Sequence, residues 1–388
     1  KDLTDLFNFQ ALRLVDKETF EKEINNLLEL VDIIEKTNIT GEGELNITDE
    51  TVDELITKLF DSVITEGKEA GIVDYIITQF NIKQALTNMG ITIDVYSDTI
   101  NWDTEPDKLV EVFKAILKFG DIDKIEYDKI ISKRRTNPDT KNNVTNLAKA
   151  LDGSQVFKPT LYILVEKMIA ESGYEVTITD SDKTKIQENG WDKEFDVLFV
   201  ALDICDSKLS DTTDYDTVSG NTVSSIMTIA CESVITSKIV GTILNEMLGE
   251  AYLNINPKNS DGSYKYDFTD QETLRKEAQN IGKLVDIKHA LAAKDPGDAE
   301  IEIVVDAVKN LEKSSLVNDA LKKVTDGEVT KDINNIDLEN ESQIIQNVYT
   351  EYKNNGNNFD PTTNPELQEK LENSDVAKYL LKKLNIVK

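Results

Sequence analysis

The sequence predicts a mainly α protein, an elongated array of about five three-helix repeat units joined by short extended connectors. Three observations predict it. The phrase TVDELITKLFDSVIT at 51–65 returns nearly intact as TVSSIMTIACESVIT at 222–236. A second phrase opens at each tryptophan, WDTEPDKLVEVFKAIL from Trp102 and WDKEFDVLFVALDI from Trp191. Apolar residues then recur at helical spacing along most of the chain.

The first helix of each unit begins at an anchor residue. Phe20, Trp102, Trp191, Leu274 and Leu338 align, and each is followed three positions later by a glutamate: Glu23, Glu105, Glu194, Glu277 and Glu341. Seven beyond the anchor stand Leu27, Leu109, Leu198, Ile281 and Ile345, with further apolar pairs at ten and eleven. Those spacings place the side chains on one face of a helix. The repeated glutamate is expected to lie in a helix's first turn, where the positive end of the dipole and free N–H groups favour an acid. The anchors are expected to be buried where successive units meet.

A middle helix follows, and the opening phrase belongs to it, with SVIT read as its conserved end. Its counterparts are VTNLAKAL (144–151), IVVDAVKNL (303–311) and the short PELQEKL (365–371). Third helices are read from apolar quartets spaced i, i+3, i+4, i+7. They start at Val73, Leu161, Val240, Val317 and Ala377. Three connectors, 91–101, 174–183 and 251–268, alternate Ile, Val or Tyr with polar residues, which suits a short strand or an extended staple. The resulting boundaries are a segment 1–16 that reads as the tail of a preceding unit, repeat units at 17–98, 99–188, 189–266 and 267–336, and a shortened terminal unit at 337–388. A chain opening on Lys1 reads as a mature or excised piece. A three-helix unit with long loops offers few core side chains against the entropy of ordering its backbone, so neighbouring units are expected to share packing.

Composition narrows the function. The formal net charge is −30. That surface repels nucleic acid and anionic membranes, which are bound through Lys and Arg. No apolar run is long enough to span a bilayer. Lysine is common, whereas Arg13, Arg134, Arg135 and Arg275 are the only arginines, a bias typical of AT-rich genomes. Cys205 and Cys231 show no metal or redox spacing and read as buried thiols.

Catalytic chemistry finds little support. His289 is the single histidine, so a serine triad or a multi-histidine zinc site cannot be assembled from this chain. No glycine-rich phosphate loop is present. No catalytic residue and no resident cofactor is therefore expected. Acidic loops at 180–182, 210–216 and 259–267 leave calcium as a candidate ligand, with Asp211, Asp214 and Asp216 the residues to hold it, although none keeps an EF-hand register. The triplet KRR at 133–135 reads as a helix end or loop.

The Trp-Asp-x-Glu opening, together with SKIVGTILNEML at 237–248 and its small residues Ser237 and Thr242, resembles helical repeat regions of large secreted or surface proteins from low-GC Gram-positive bacteria and their wall-less relatives. The resemblance covers most of 17–387 and departs from the pattern in the last unit, where Leu338 replaces the aromatic anchor. It implies an extracellular, cell-surface and non-enzymatic role. The expected function is a binding or spacer module, as in adhesion, contacting a protein or another surface component. The alternative is a structural subunit that self-assembles into a filament or surface layer.

Charge gives the first testable expectation. Like-charge repulsion is screened over about 8 Å at physiological ionic strength, so raising NaCl from low levels should raise the melting temperature smoothly. Millimolar calcium should add nothing beyond its ionic strength. A sharp calcium-specific rise, reversed by chelator and absent with magnesium, would show that the acidic loops bind the ion.

Overall fold

The computed structural model describes residues 7–37, 48–88, 90–119, 139–170, 175–208, 218–251, 254–293, 297–355 and 359–387. The protein is an all-α helical array, 71% helix. Among the described residues the extended connectors form no strand, and pair only at one isolated bridge, Lys258 to Tyr264.

The helices run in chain order. The first set is α1 (Lys17–Thr37), α2 (Asp49–Phe60), α3 (Glu69–Gln79) and α4 (Ile82–Asn88). Next come α5 (Glu105–Phe119), α6 (Thr140–Gly153), α7 (Lys158–Ala170), α8 (Asp180–Asn189) and α9 (Trp191–Lys208). Then follow α10 (Gly220–Ala230), α11 (Val234–Glu246), α12 (Gln271–Ala292), α13 (Asp298–Lys309) and α14 (Ser315–Val324). The chain closes with α15 (Leu338–Asn355), α16 (Pro365–Glu372) and α17 (Ala377–Lys383). It divides into two compact units, Lys1–Phe195 and Asp196–Lys388.

Many starts are set by side-chain caps. Thr48, Thr179, Ser219, Ser233, Asp270, Ser314 and Asn364 each accept a bond from a backbone N–H of the turn they open. Within the first unit α1 packs on α2, α2 on α5 and α5 on α6. Within the second, α10 packs on α12, α12 on α13 and α13 on α15, with α11 and α14 also against α12. α2 and α13 thus each lie between the first helix of their own group and that of the next, so those neighbouring groups share a core. At one crossing the backbones nearly touch. A Cβ on Gly220 would stand 1.9 Å from the Gly282 carbonyl oxygen, which admits only glycine.

The repeated glutamates are buried, at 2% exposure for Glu23, 1% for Glu105, 0% for Glu194, 5% for Glu277 and 2% for Glu341. Glu105, Glu194 and Glu341 stand in the first turn of their helices, as expected, yet the backbone N–H groups that Glu105 and Glu341 accept from belong to other segments. Four of the repeated glutamates reach across to a serine that follows the middle helix of their group: Ser154, Ser314 and Ser374 open the third helix there, whereas Ser62 stands seven residues ahead of Glu69, the first residue of α3. The Ser62 hydroxyl donates to Glu23 at 2.5 Å, Ser154 to Glu105 at 2.5 Å, Ser314 to Glu277 at 2.9 Å and Ser374 to Glu341 at 2.6 Å. Backbone N–H groups join them. Gln155 and Val156 donate to Glu105, and Asp375, Val376 and Ala377 to Glu341. Three of the serines also accept a helix N–H on the same oxygen, from Phe157, Val317 and Lys378. Glu194 accepts from the Asn189 amide at 2.7 Å.

This corrects several sequence readings. SVIT is not the end of a middle helix: α2 closes at Phe60, and Ser233 is the N-cap of α11. With the serines aligned, the apolar quartets do not share a register. Val317 and Ala377 stand three beyond their serine, Leu161 and Val240 seven, and Val73 eleven. A quartet slides by a helical turn without changing its pattern, so periodicity alone could not fix it. Residues 180–183 open α8 instead of extending a staple. The 91–101 connector does act as a staple, burying Ile91, Val95 and Ile100. The anchors are also uneven: Leu274 and Leu338 are buried, but Phe20 is 43% exposed.

The Glu341 latch can be tested by urea denaturation. Glu341→Ala strands a hydroxyl and three N–H groups, so it should cost about 3 kcal/mol or more, at roughly 1–3 kcal/mol per buried donor left unmade. Ser374→Ala should cost about 1–2 kcal/mol, the range for losing a cap. A Glu341→Ala loss below about 0.5 kcal/mol, within the ordinary range for surface substitutions, would show that the latch is not structural.

Candidate functional site

The residues singled out for chemistry disperse. Asp211, Asp214 and Asp216 lie outside the described residues, as does KRR at 133–135. Among the described residues no group of three His, Cys, Asp or Glu side chains could hold a metal. Asp182 is consumed in the capping box of α8, and Asp180 ion-pairs with Lys183 at 2.9 Å. Asp261 accepts bonds from the Ser263 amide and hydroxyl, which hold the carboxyl below its usual range and close the turn at Gly262. His289 sits in the last turn of α12. Cys231 is buried, Cys205 is half-buried, and neither is in a disulfide. Burial pushes the Cys231 thiol up, the opposite of an activated nucleophile.

The two tryptophans part company. Trp191 is 4% exposed. Its ring lies 5.9 Å from Phe195 and 5.9 Å from Tyr162, and its Nε1 donates to Asp152 at 3.2 Å. Lys158 pairs with the other Asp152 oxygen at 3.1 Å. Burial, and then the Asp152 charge, raise the Tyr162 phenol above its ordinary value. This indole is a packing residue, as the repeat pattern predicts.

Trp102 is only partly buried. It precedes α5, whose first residue is Glu105, and stacks on Phe60 at the end of α2 with centroids 6.1 Å apart and planes 26° from parallel. Pro106, Ile56 and Val110 continue the apolar floor of a groove of about 530 Å³ at this seam. Its rim is acidic: Asp61, Glu66, Glu69, Asp103 and Asp107. Glu69 accepts a bond from the Gly67 amide at 2.8 Å. Among the described residues no ion pair reaches the other four, although pairs elsewhere link α2 to α5, as Lys114 to Asp53 at 2.9 Å. Those four carboxylates place negative charge beside a partly exposed indole. Such a site suits a cation carrying apolar surface, through charge and cation–π attraction.

The groove was hard to foresee. Trp102 and Trp191 occupy the same repeat position, and the sequence offers no sign that one would open to solvent. The available signal was the acid content around Trp102, where Asp103, Glu105 and Asp107 cluster. Comparison with protein-family models, curated proteins and solved structures finds no significant match, so the groove is read from its own chemistry.

Collisional quenching should separate the two indoles. Caesium should quench one emission component better than iodide does, and Trp102→Phe should remove that component. Trp191→Ala should destabilise by about 3–5 kcal/mol, as large aromatic truncations in cores do. Equal quenching of both indoles would contradict the assignment.

Proposed function

We propose that the chain is a non-enzymatic binding or spacer module of a bacterial cell-surface protein, and that the groove between α2 and α5 holds a positively charged, partly apolar segment of its partner. The observation that carries the reading is the contrast between the acids of the core and those of the groove. Each recurring glutamate is buried and hydrogen-bonded, four of them to a serine and three of those serines at the start of a third helix. Of the rim carboxylates beside Trp102, Asp61, Glu66, Asp103 and Asp107 are exposed, and among the described residues no ion pair reaches them. The resemblance of the repeat phrases to secreted bacterial proteins supports an extracellular place.

The reading also accounts for the spacer half of the role. Shared packing between successive groups makes each unit a continuous body that can present a groove without a catalytic centre. Basic peptides would be drawn in by the long-range field and then held by contact with the indole.

Titrating the chain with a lysine-rich peptide containing apolar residues should shift Trp102 emission and saturate near one equivalent. The double variant Asp103→Asn, Asp107→Asn should weaken it roughly tenfold, about 1.4 kcal/mol, and added salt should weaken it further. A response that persists in Trp102→Phe, or that a glutamate-rich peptide elicits equally, would sink the proposal.

A further inference from the structure

The outward face of α1 carries Phe20 at 43% exposure, Ile24 at 37%, Leu28 at 64% and Val31 at 53%. The spacing of four, four and three aligns these side chains in one stripe. Such a stripe on a soluble helix is a contact surface in want of a partner.

The same register elsewhere shows what covers it. In α5 the corresponding positions are Trp102, Pro106, Val110 and Phe113; in α12 they are Leu274, Ala278, Gly282 and Val285; in α15, Leu338, Ser342, Gln346 and Tyr349. Most are buried, and in all three helices this face meets the middle helix of the preceding group. Trp102 stacks on Phe60 of α2. Gly282 lies against Gly220 of α10. The Tyr349 hydroxyl donates to Asp298 of α13 at 2.8 Å, and burial together with that bond pushes the phenol up to about 12. In α1 alone among these four helices, no described element lies on the stripe and apolar side chains stand in water.

We infer that the Phe20–Val31 face of α1 is an open inter-repeat interface, and that its occupant is the middle helix of a further repeat of this same three-helix kind, docked as α2 docks on α5. A second copy of the chain offers no such helix. Its α2, α10 and α13 are already covered by α5, α12 and α15. Its α6 carries the start of α9, through Asp152 to Trp191 and Lys149 to Asp192. Its α16 turns Glu366, Glu369, Lys370 and Glu372 to solvent, a poor match for an apolar stripe. The inference stands apart from the groove at Trp102, whose test reads a different surface.

The experiment supplies the missing helix in tandem. Residues 271–337 are joined ahead of Phe20, so that the junction before Phe20 repeats the one before Leu338. A second fusion uses residues 20–101 as the donor, repeating the junction before Trp102, in case the first fails to fold. Hydrogen exchange in α1 should slow at least tenfold relative to the parent chain in either fusion. The pair Leu28→Lys, Val31→Lys should abolish that protection in the fusions and leave the parent's melting temperature within about a degree. Unchanged exchange in both folded fusions would overturn the inference. So would concentration-dependent dimerisation of the parent chain abolished by Leu28→Lys, because the occupant would then be α1 of a second copy.

Discussion

A buried carboxylate is costly unless several donors meet it, and this protein uses that cost as a positional constraint. The first helix of a group places a glutamate in the interior, where the start of the third helix supplies a serine hydroxyl and, in two cases, backbone N–H groups. Neither end is satisfied without the other. The third helix begins with orphan donors and the positive end of its dipole, and the glutamate brings the complementary charge. A contact spanning 33 residues at Glu341 and 49 at Glu105 thereby fixes where a loop must end. Loop length can vary because the latch, not the loop, sets the position.

Polar specificity of this kind complements a thin apolar core. Each helix contributes only a few large side chains, and the repeat depends on neighbours to finish burying them. The middle helix is the shared element. α2 and α13 lie against their own first helix on one side and the next first helix on the other, and where α10 meets α12 the close approach falls at Gly220 and Gly282. Buried asparagines do similar work in the connectors. Asn245 accepts from the Phe268 amide at 3.1 Å, and Asn256 bonds both the amide and the carbonyl of Tyr266. They hold the 254–268 segment across the helices without a sheet.

Open surface arises where this scheme is interrupted. At the seam of α2 and α5 the anchor indole precedes its helix instead of entering it, and a groove forms with an aromatic floor and an acidic rim. On α1 an apolar stripe is exposed, with no described element lying on it.

The sequence by itself determined the all-α class, the position of most first and middle helices and the existence of the glutamate repeat. Those follow from local periodicity, which a helix expresses whatever it packs against. It also marked SVIT as important while misplacing it at a helix end, because a serine's capping role depends on the turn that follows. The tertiary structure decided what the glutamates bind, which quartet register each third helix adopts and which tryptophan is buried. These depend on residues more than thirty positions apart in the chain, and on whether a neighbouring helix covers a given face. Trp102 and Trp191 are the same repeat letter, but one lies against Tyr162 and Phe195 while the other caps an acidic groove. Periodicity specifies which face of a helix is apolar; only the neighbour that arrives in three dimensions decides whether that face becomes core or surface.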